Sequence, residues 1–248
     1  MSNPTPYSND ELSKPHIRKA ILDFSYPIVA ELMLMSLIAM VNLSMVGHLG
    51  AYALSSVGLT NQPVFISLAV FQSFNIGATA LISRLIGAKE VREVKAVVIQ
   101  TMLMSFVLGM VLAILGVVFA KPIVLFLGAQ PDTVNSAAMY MRYMAVGMLF
   151  QAIPTAVTSI LRGAGESKIP MRYNIVSNII NAAAGFALIY GFGLWQGFGL
   201  QGAAIATTLA KLAACVMSLY ALFHNELPVC ISWRDRFRFD GAIIKRIM

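Results

Sequence analysis

Six long apolar stretches separated by short polar segments set the pattern of this chain. They cover about residues 26–46, 62–83, 97–120, 137–160, 174–193 and 199–223. Each holds roughly the 20 residues that a helix needs to cross a bilayer, and none contains more than one charged residue. In lipid a backbone must satisfy its own hydrogen bonds, so the runs predict helices. They lack the ten-residue alternation of a membrane β-strand. The expected fold is an all-α integral membrane lobe of six transmembrane helices.

The polar segments divide the chain further. Residues 1–15 hold three prolines and no apolar core, so they read as a disordered cytoplasmic tail and not as a signal peptide. Residues 16–26 (HIRKAILDFSY) predict a short interfacial helix leading into the first span, with Pro27 near the span's start, where a missing N–H costs little. Residues 121–131 and 194–198 predict two short external connectors, the second carrying Trp195 as an interface anchor. Residues 224–248 are polar and basic, then turn amphipathic, as in a linker approaching a further helix.

Charge placement orients the spans. Lys14, Arg18 and Lys19 precede the first. Arg84, Lys89, Arg92 and Lys95 follow the second. Arg162, Lys168 and Arg172 follow the fourth, and Arg234, Arg236, Arg238, Lys245 and Arg246 follow the sixth. Fifteen of the eighteen Lys and Arg residues therefore fall on one side, leaving Lys121 opposite and Arg142 and Lys211 inside spans. The positive-inside rule places both termini in the cytoplasm of a plasma (inner) membrane protein, as an even number of spans requires.

Composition agrees. Of 248 residues, 58% are hydrophobic and 12% charged, against roughly 25% charged in soluble domains. Mean hydropathy is +0.75. Cys215 and Cys230 sit in unlike surroundings and demand no oxidising compartment. No P-loop, HExxH, Cys-x-x-Cys or GxSxG motif occurs, and the three histidines are scattered. These absences predict no enzyme, no resident metal and no cofactor. The basic loops suit anionic lipid headgroups, and nothing points to nucleic acid.

Candidate chemistry lies in the polar residues within spans. Glu31 and Asn42 are eleven residues apart, within about 20° of three full helical turns, so they share a face. Glu31 is either a helix-end carboxylate near cytoplasmic water or a protonatable, cation-binding group facing a cavity. Asn42 taken alone is hydrogen-bonding glue between helices. Asn174, Asn178 and Asn181 recur at i, i+4 and i+7, which lines one face of the fifth span. Gln62, Gln72, Asn75, Gln100 and Gln151 add amides without charge. Arg142 and Lys211 either snorkel or pair with an acid. Together these residues favour a wet cavity over a solid bundle.

Three segments resemble the multidrug and toxic compound extrusion (MATE) transporters. Residues 45–62, MVGHLGAYALSSVGLTNQ, resemble the family's pattern after its first span and include Gly47 and Gly50. Residues 161–171, LRGAGESKIPM, resemble its R-G-x-G-[DE]-x-x-x-P motif through Arg162, Gly163, Gly165 and Pro170. Residues 178–202 supply a third match. The resemblance implies twelve helices in two lobes around a cavity that opens alternately to each side. It implies export of organic, often cationic, compounds in exchange for Na⁺ or H⁺. On that expectation this chain is the N-terminal lobe, its partners are small organic substrates, lipid and a second six-helix lobe, and its pathway residues are Glu31, Asn42, Gln62, Asn174, Asn178 and Asn181.

Two departures qualify the coupling. The family usually has Asp where Asn42 stands, and many members have Asp where Gly185 stands. Asparagine neither takes up a proton nor carries a counter-charge, leaving Glu31 as the one candidate acid in a span. The competing readings are a lipid-linked oligosaccharide flippase of the same superfamily and an inactive or partner membrane fragment.

Overall fold

The computed structural model describes residues 14–192 and 195–224. Most of the expected tail and of the expected linker lies outside them; residues 14 and 15 of the tail open α1 instead. The described chain folds into α1 (Lys14–Gly47), α2 (Ala51–Gly87), α3 (Val91–Val118), α4 (Ala120–Phe126), α5 (Val134–Gly163), α6 (Lys168–Tyr190) and α7 (Leu200–His224). A two-stranded hairpin, β1 (Gly191–Phe192) and β2 (Trp195–Gln196), joins α6 to α7, with Gly191 opposite Gln196. Six of the helices are long and apolar enough to cross a membrane.

Each of the six expected spans coincides with one of these helices, but several boundaries move. The expected interfacial helix and the first span are one unbroken helix. At 34 residues, α1 is about 51 Å long. Its mixed first turns continue the helix because nothing in them breaks it, and Pro27 sits inside. The second span begins eleven residues earlier than expected, since residues 51–61 are the opening turns of α2. Their serines and threonines dilute the apolar signal without breaking the helix. Ser56 donates to the Tyr52 carbonyl and Thr60 to that of Ser56, so each hydroxyl is satisfied one turn back. The first connector is partly ordered as α4, which buries Ala120 and Val124 against α5. The side chain of Trp195, read as an interface anchor, lies outside the described residues.

The lobe is built around α5, which packs on α2, α3, α4 and α7. Glycines let α3 approach it: a Cβ at Gly109 or Gly116 would stand 2.6 Å from the Cβ of Ala152 or Ala145. Such close backbone approach substitutes in lipid for the hydrophobic drive that water supplies elsewhere. The largest apolar cluster joins α2, α3 and α5 through Ile82, Val98, Val157 and Ile160, close to the ends that bear the basic loops. By contrast α1 packs chiefly on α6, and Leu32, Met33, Leu37 and Met40 stay exposed on its other side.

Candidate functional site

α1 and α6 run side by side in the same direction, and each turns its polar residues to the other. The spacing of Glu31 and Asn42 on one helix therefore meets that of Asn174 and Asn181 on its neighbour. Two polar clusters result, one near the basic end of the lobe and one toward the far end.

In the basic-end cluster, Glu31 is only 4% exposed. Arg162 Nη2 donates to Glu31 Oε2 at 2.9 Å, and Asn174 Nδ2 donates to Oε1 at 2.8 Å. Both carboxylate oxygens are thus engaged, by α5 and α6 respectively. Glu31 is a partnered buried acid, and neither the water-facing helix end nor an open cavity group describes it.

The surrounding motif has a local cause at each position. Gly163 lies against α2, where a Cβ would come within 2.9 Å of the Thr79 carbonyl oxygen. Gly165 has φ +82°, a turn conformation that favours glycine. Glu166 Oε1 accepts from the backbone N–H groups of Lys168 and Ile169 at 2.7 and 3.2 Å, capping α6. Pro170 falls in the first turn of α6, where a backbone N–H has no helical partner. Ser167 donates to the Phe24 carbonyl at 3.0 Å, tying the turn to α1. Gly50, in the first motif, has φ +101° in the turn from α1 to α2, whereas Gly47 has open space around it.

In the far cluster, Asn42 Nδ2 donates to Asn181 Oδ1 at 2.5 Å. Asn181 Nδ2 donates to Thr207 Oγ1 at 3.2 Å, and Thr207 donates to the Ala203 carbonyl at 3.0 Å. This relay crosses from α1 through α6 to α7 without a charge. It borders a cavity of about 250 Å³ whose polar lining is Asn42, Asn61, Tyr140, Asn181 and Thr207. Gly185 lines it too, and a Cβ there would lie 3.9 Å from Asn42 Oδ1. The two positions at which the chain departs from the family pattern are therefore neighbours on one wall. Among the described residues, no carboxylate lines this cavity.

The expected pathway residues thus separate. Glu31 and Asn174 meet at the basic end, while Asn42 and Asn181 meet at the far end. Asn178 is half-buried on the face between them. Gln62 does not join them. It is exposed and borders a different, apolar groove of about 600 Å³, beside Leu112, Phe119, Met141 and Met148. Its neighbour Asn61 points into the polar cavity instead, because one residue is a 100° rotation on a helix. Asn61, Tyr140 and Thr207 escaped sequence reading. Asn61 abutted the expected start of a span, and a lone tyrosine or threonine hydroxyl within an apolar run gives no periodic signal. Asn75 and Gln100 are buried in the α2–α3–α5 region, Gln72 and Arg142 are exposed and Gln151 is half-buried.

Comparison with known proteins places this arrangement. The MatE family model matches residues 27–187. A "Probable multidrug resistance protein YoeA" of Bacillus subtilis is 30% identical over 90% of this chain and 49% of its own length. A "FAD transporter" of Shewanella oneidensis is 28% identical over 95% of this chain and 52% of its own. The solved outward-facing conformation of a multidrug resistance MATE family transporter superposes with a TM-score of 0.84 at 28% identity, covering 92% of this chain and 50% of that one. The chain spans about half the length of the curated relatives it matches. With a polar-lined cavity in a six-helix membrane lobe and a family match over most of the sequence, the chain belongs to the MatE family.

Proposed function

We propose that this chain is one lobe of a secondary transporter that exports organic compounds, with the second six-helix lobe completing the pathway. The observation that carries the reading is the uncharged polar cavity bounded by α1, α2, α5, α6 and α7. The chain's match to about half the length of a multidrug resistance protein and of a MATE family transporter structure supports the same reading. Both termini then lie in the cytoplasm, since Arg84, Lys89, Lys95, Lys168 and Arg172 gather at one end of the bundle.

The reading includes exchange against Na⁺ or H⁺, with a constraint on where the ion acts. Asn42 and Gly185 leave the cavity without a titratable acid, and Glu31 is committed to Arg162. Glu31 remains this lobe's one span acid for coupling, and the alternative is an acid in the second lobe. The test is efflux of fluorescent drugs from proteoliposomes holding the full protein, with and without imposed Na⁺ and pH gradients. Efflux that ignores both gradients would sink antiport. Glu31→Gln then assigns the site: loss of gradient dependence puts coupling at Glu31, and unchanged dependence puts it in the other lobe.

A further inference from the structure

A positive charge is left inside this lobe, one helical turn from Thr207 of the cavity wall and outside the cavity's own lining. Lys211 lies near the middle of α7, one turn beyond Thr207 and on the same face. That face is opposite the exposed Leu209, Leu212, Val216 and Tyr220. The side chain packs on α5 at Gly147, where a Cβ would stand 3.2 Å from Lys211 Cδ and 3.5 Å from Nζ. Glycine thus makes room for the ammonium between the two helices. Side chains on a helix lean toward its N-terminus, which here is the direction of Thr207 and the cavity.

No acid among the described residues answers this cation. α5, α6 and α7 contain no Asp or Glu. The described part of α1 has Asp23, which is exposed, and Glu31, whose two oxygens are held by Arg162 and Asn174. Lys211 therefore has no ion-pair partner among the described residues. An unpaired charge at mid-span is costly and calls for a counter-charge. The cavity one turn away offers amide and hydroxyl groups from Asn42, Asn61, Asn181 and Thr207, and among the described residues no carboxylate that would attract a cation.

We infer that this lobe selects organic anions, with Lys211 as the group that takes the carboxylate or phosphate of the substrate. The inference rests on the transport reading and gives its substrate a charge. A cationic compound would meet an unopposed ammonium in a poorly screened site. An anionic one supplies the counter-charge that the fold withholds, and its remaining polar groups find the neutral wall. Gly147 belongs to the device, because any larger residue pushes on the stem that carries the charge.

The experiment is equilibrium binding to the full protein in nanodiscs. Three fluorescent probes are used: a coumarin carboxylate, methylumbelliferyl phosphate and a styrylpyridinium cation. At least one anion is expected to bind more tightly than the cation. Lys211→Gln should weaken that anion by about tenfold, the scale of one charge-assisted hydrogen bond. Lys211→Arg should retain it, and Gly147→Ala should weaken it while thermal unfolding shows the variant folded. The carboxylate and phosphate arms tell which anion is preferred. A tighter cation, no anion binding, or equal anion affinity in Lys211→Gln overturns the inference. Failure of the transport reading shows separately, as anion binding that persists and depends on Lys211 while no probe crosses a proteoliposome membrane.

Discussion

Arg162→Met tests the basic-end cluster most directly. The substitution keeps much of the stem's bulk and removes the guanidinium that donates to Glu31 Oε2 at 2.9 Å. Glu31 is 4% exposed, so its carboxylate stays inside the lobe with Asn174 as its remaining donor. Breaking a buried ion pair from one side costs about 3–5 kcal/mol. Arg162 is itself 28% exposed on its side chain, so water already reaches part of the site. Together with the surviving Asn174 bond, this lowers the expected loss to about 2–3 kcal/mol. Glu31→Gln is milder, at about 1 kcal/mol, because the guanidinium keeps its access to solvent and the new amide oxygen still accepts. The double variant should be less damaged than the sum of the two, with a coupling energy of about 1–2 kcal/mol. Reversible denaturant unfolding in bicelles measures all three. If Arg162→Met costs less than about 0.5 kcal/mol, or if the two losses simply add, the pair does not hold α1 to α5 and the account of Glu31 is wrong.

Other expected outcomes concern the far cluster, the helix packing and the displaced glutamine. Asn181→Leu removes the acceptor of Asn42 and the donor to Thr207, and the same unfolding measurement should show a loss of about 1–2 kcal/mol. Gly109→Val forces a side chain against Ala152, where even a Cβ would stand 2.6 Å away; about 1–3 kcal/mol of overpacking should appear as a lower unfolding midpoint. In probe titrations, Asn61→Ala should weaken binding while adjacent Gln62→Ala leaves it unchanged, since the two line different cavities. Equal effects at both positions would mean that α2 is rotated from the orientation described.

The bilayer made the architecture legible in the sequence. A membrane-spanning segment must hydrogen-bond within itself and be apolar along its own length, so each span announces itself locally. Residues 97–120 needed no neighbour to be read as a helix, and α3 runs Val91–Val118. The motif residues carried the family for a similar reason: Gly165 answers to its own backbone angle, and Glu166 to N–H groups two and three residues on. Even the boundary that moved at the start of α2 moved for a local reason, because Ser56 and Thr60 hide their polarity one turn back.

The site was legible only in part. Periodicity put Glu31 with Asn42 on one face, and Asn174 with Asn181 on another, because a helix repeats itself. It could not say that the two faces meet. Asn42 finds Asn181 across 139 residues of sequence, and Glu31 finds Arg162 across 131. Only the packing of α1 on α6 turned one apparent stripe into an ion-paired cluster and a separate neutral cavity. The way α2 and α7 pack on their neighbours put Gln62 on a different groove, brought Asn61 to the cavity and left Lys211 without an acid among the described residues. Sequence fixed which residues were expensive to place in a membrane, since that cost belongs to each side chain alone. Tertiary structure decided which of them had been given a partner, since partnership depends on how neighbouring helices are turned.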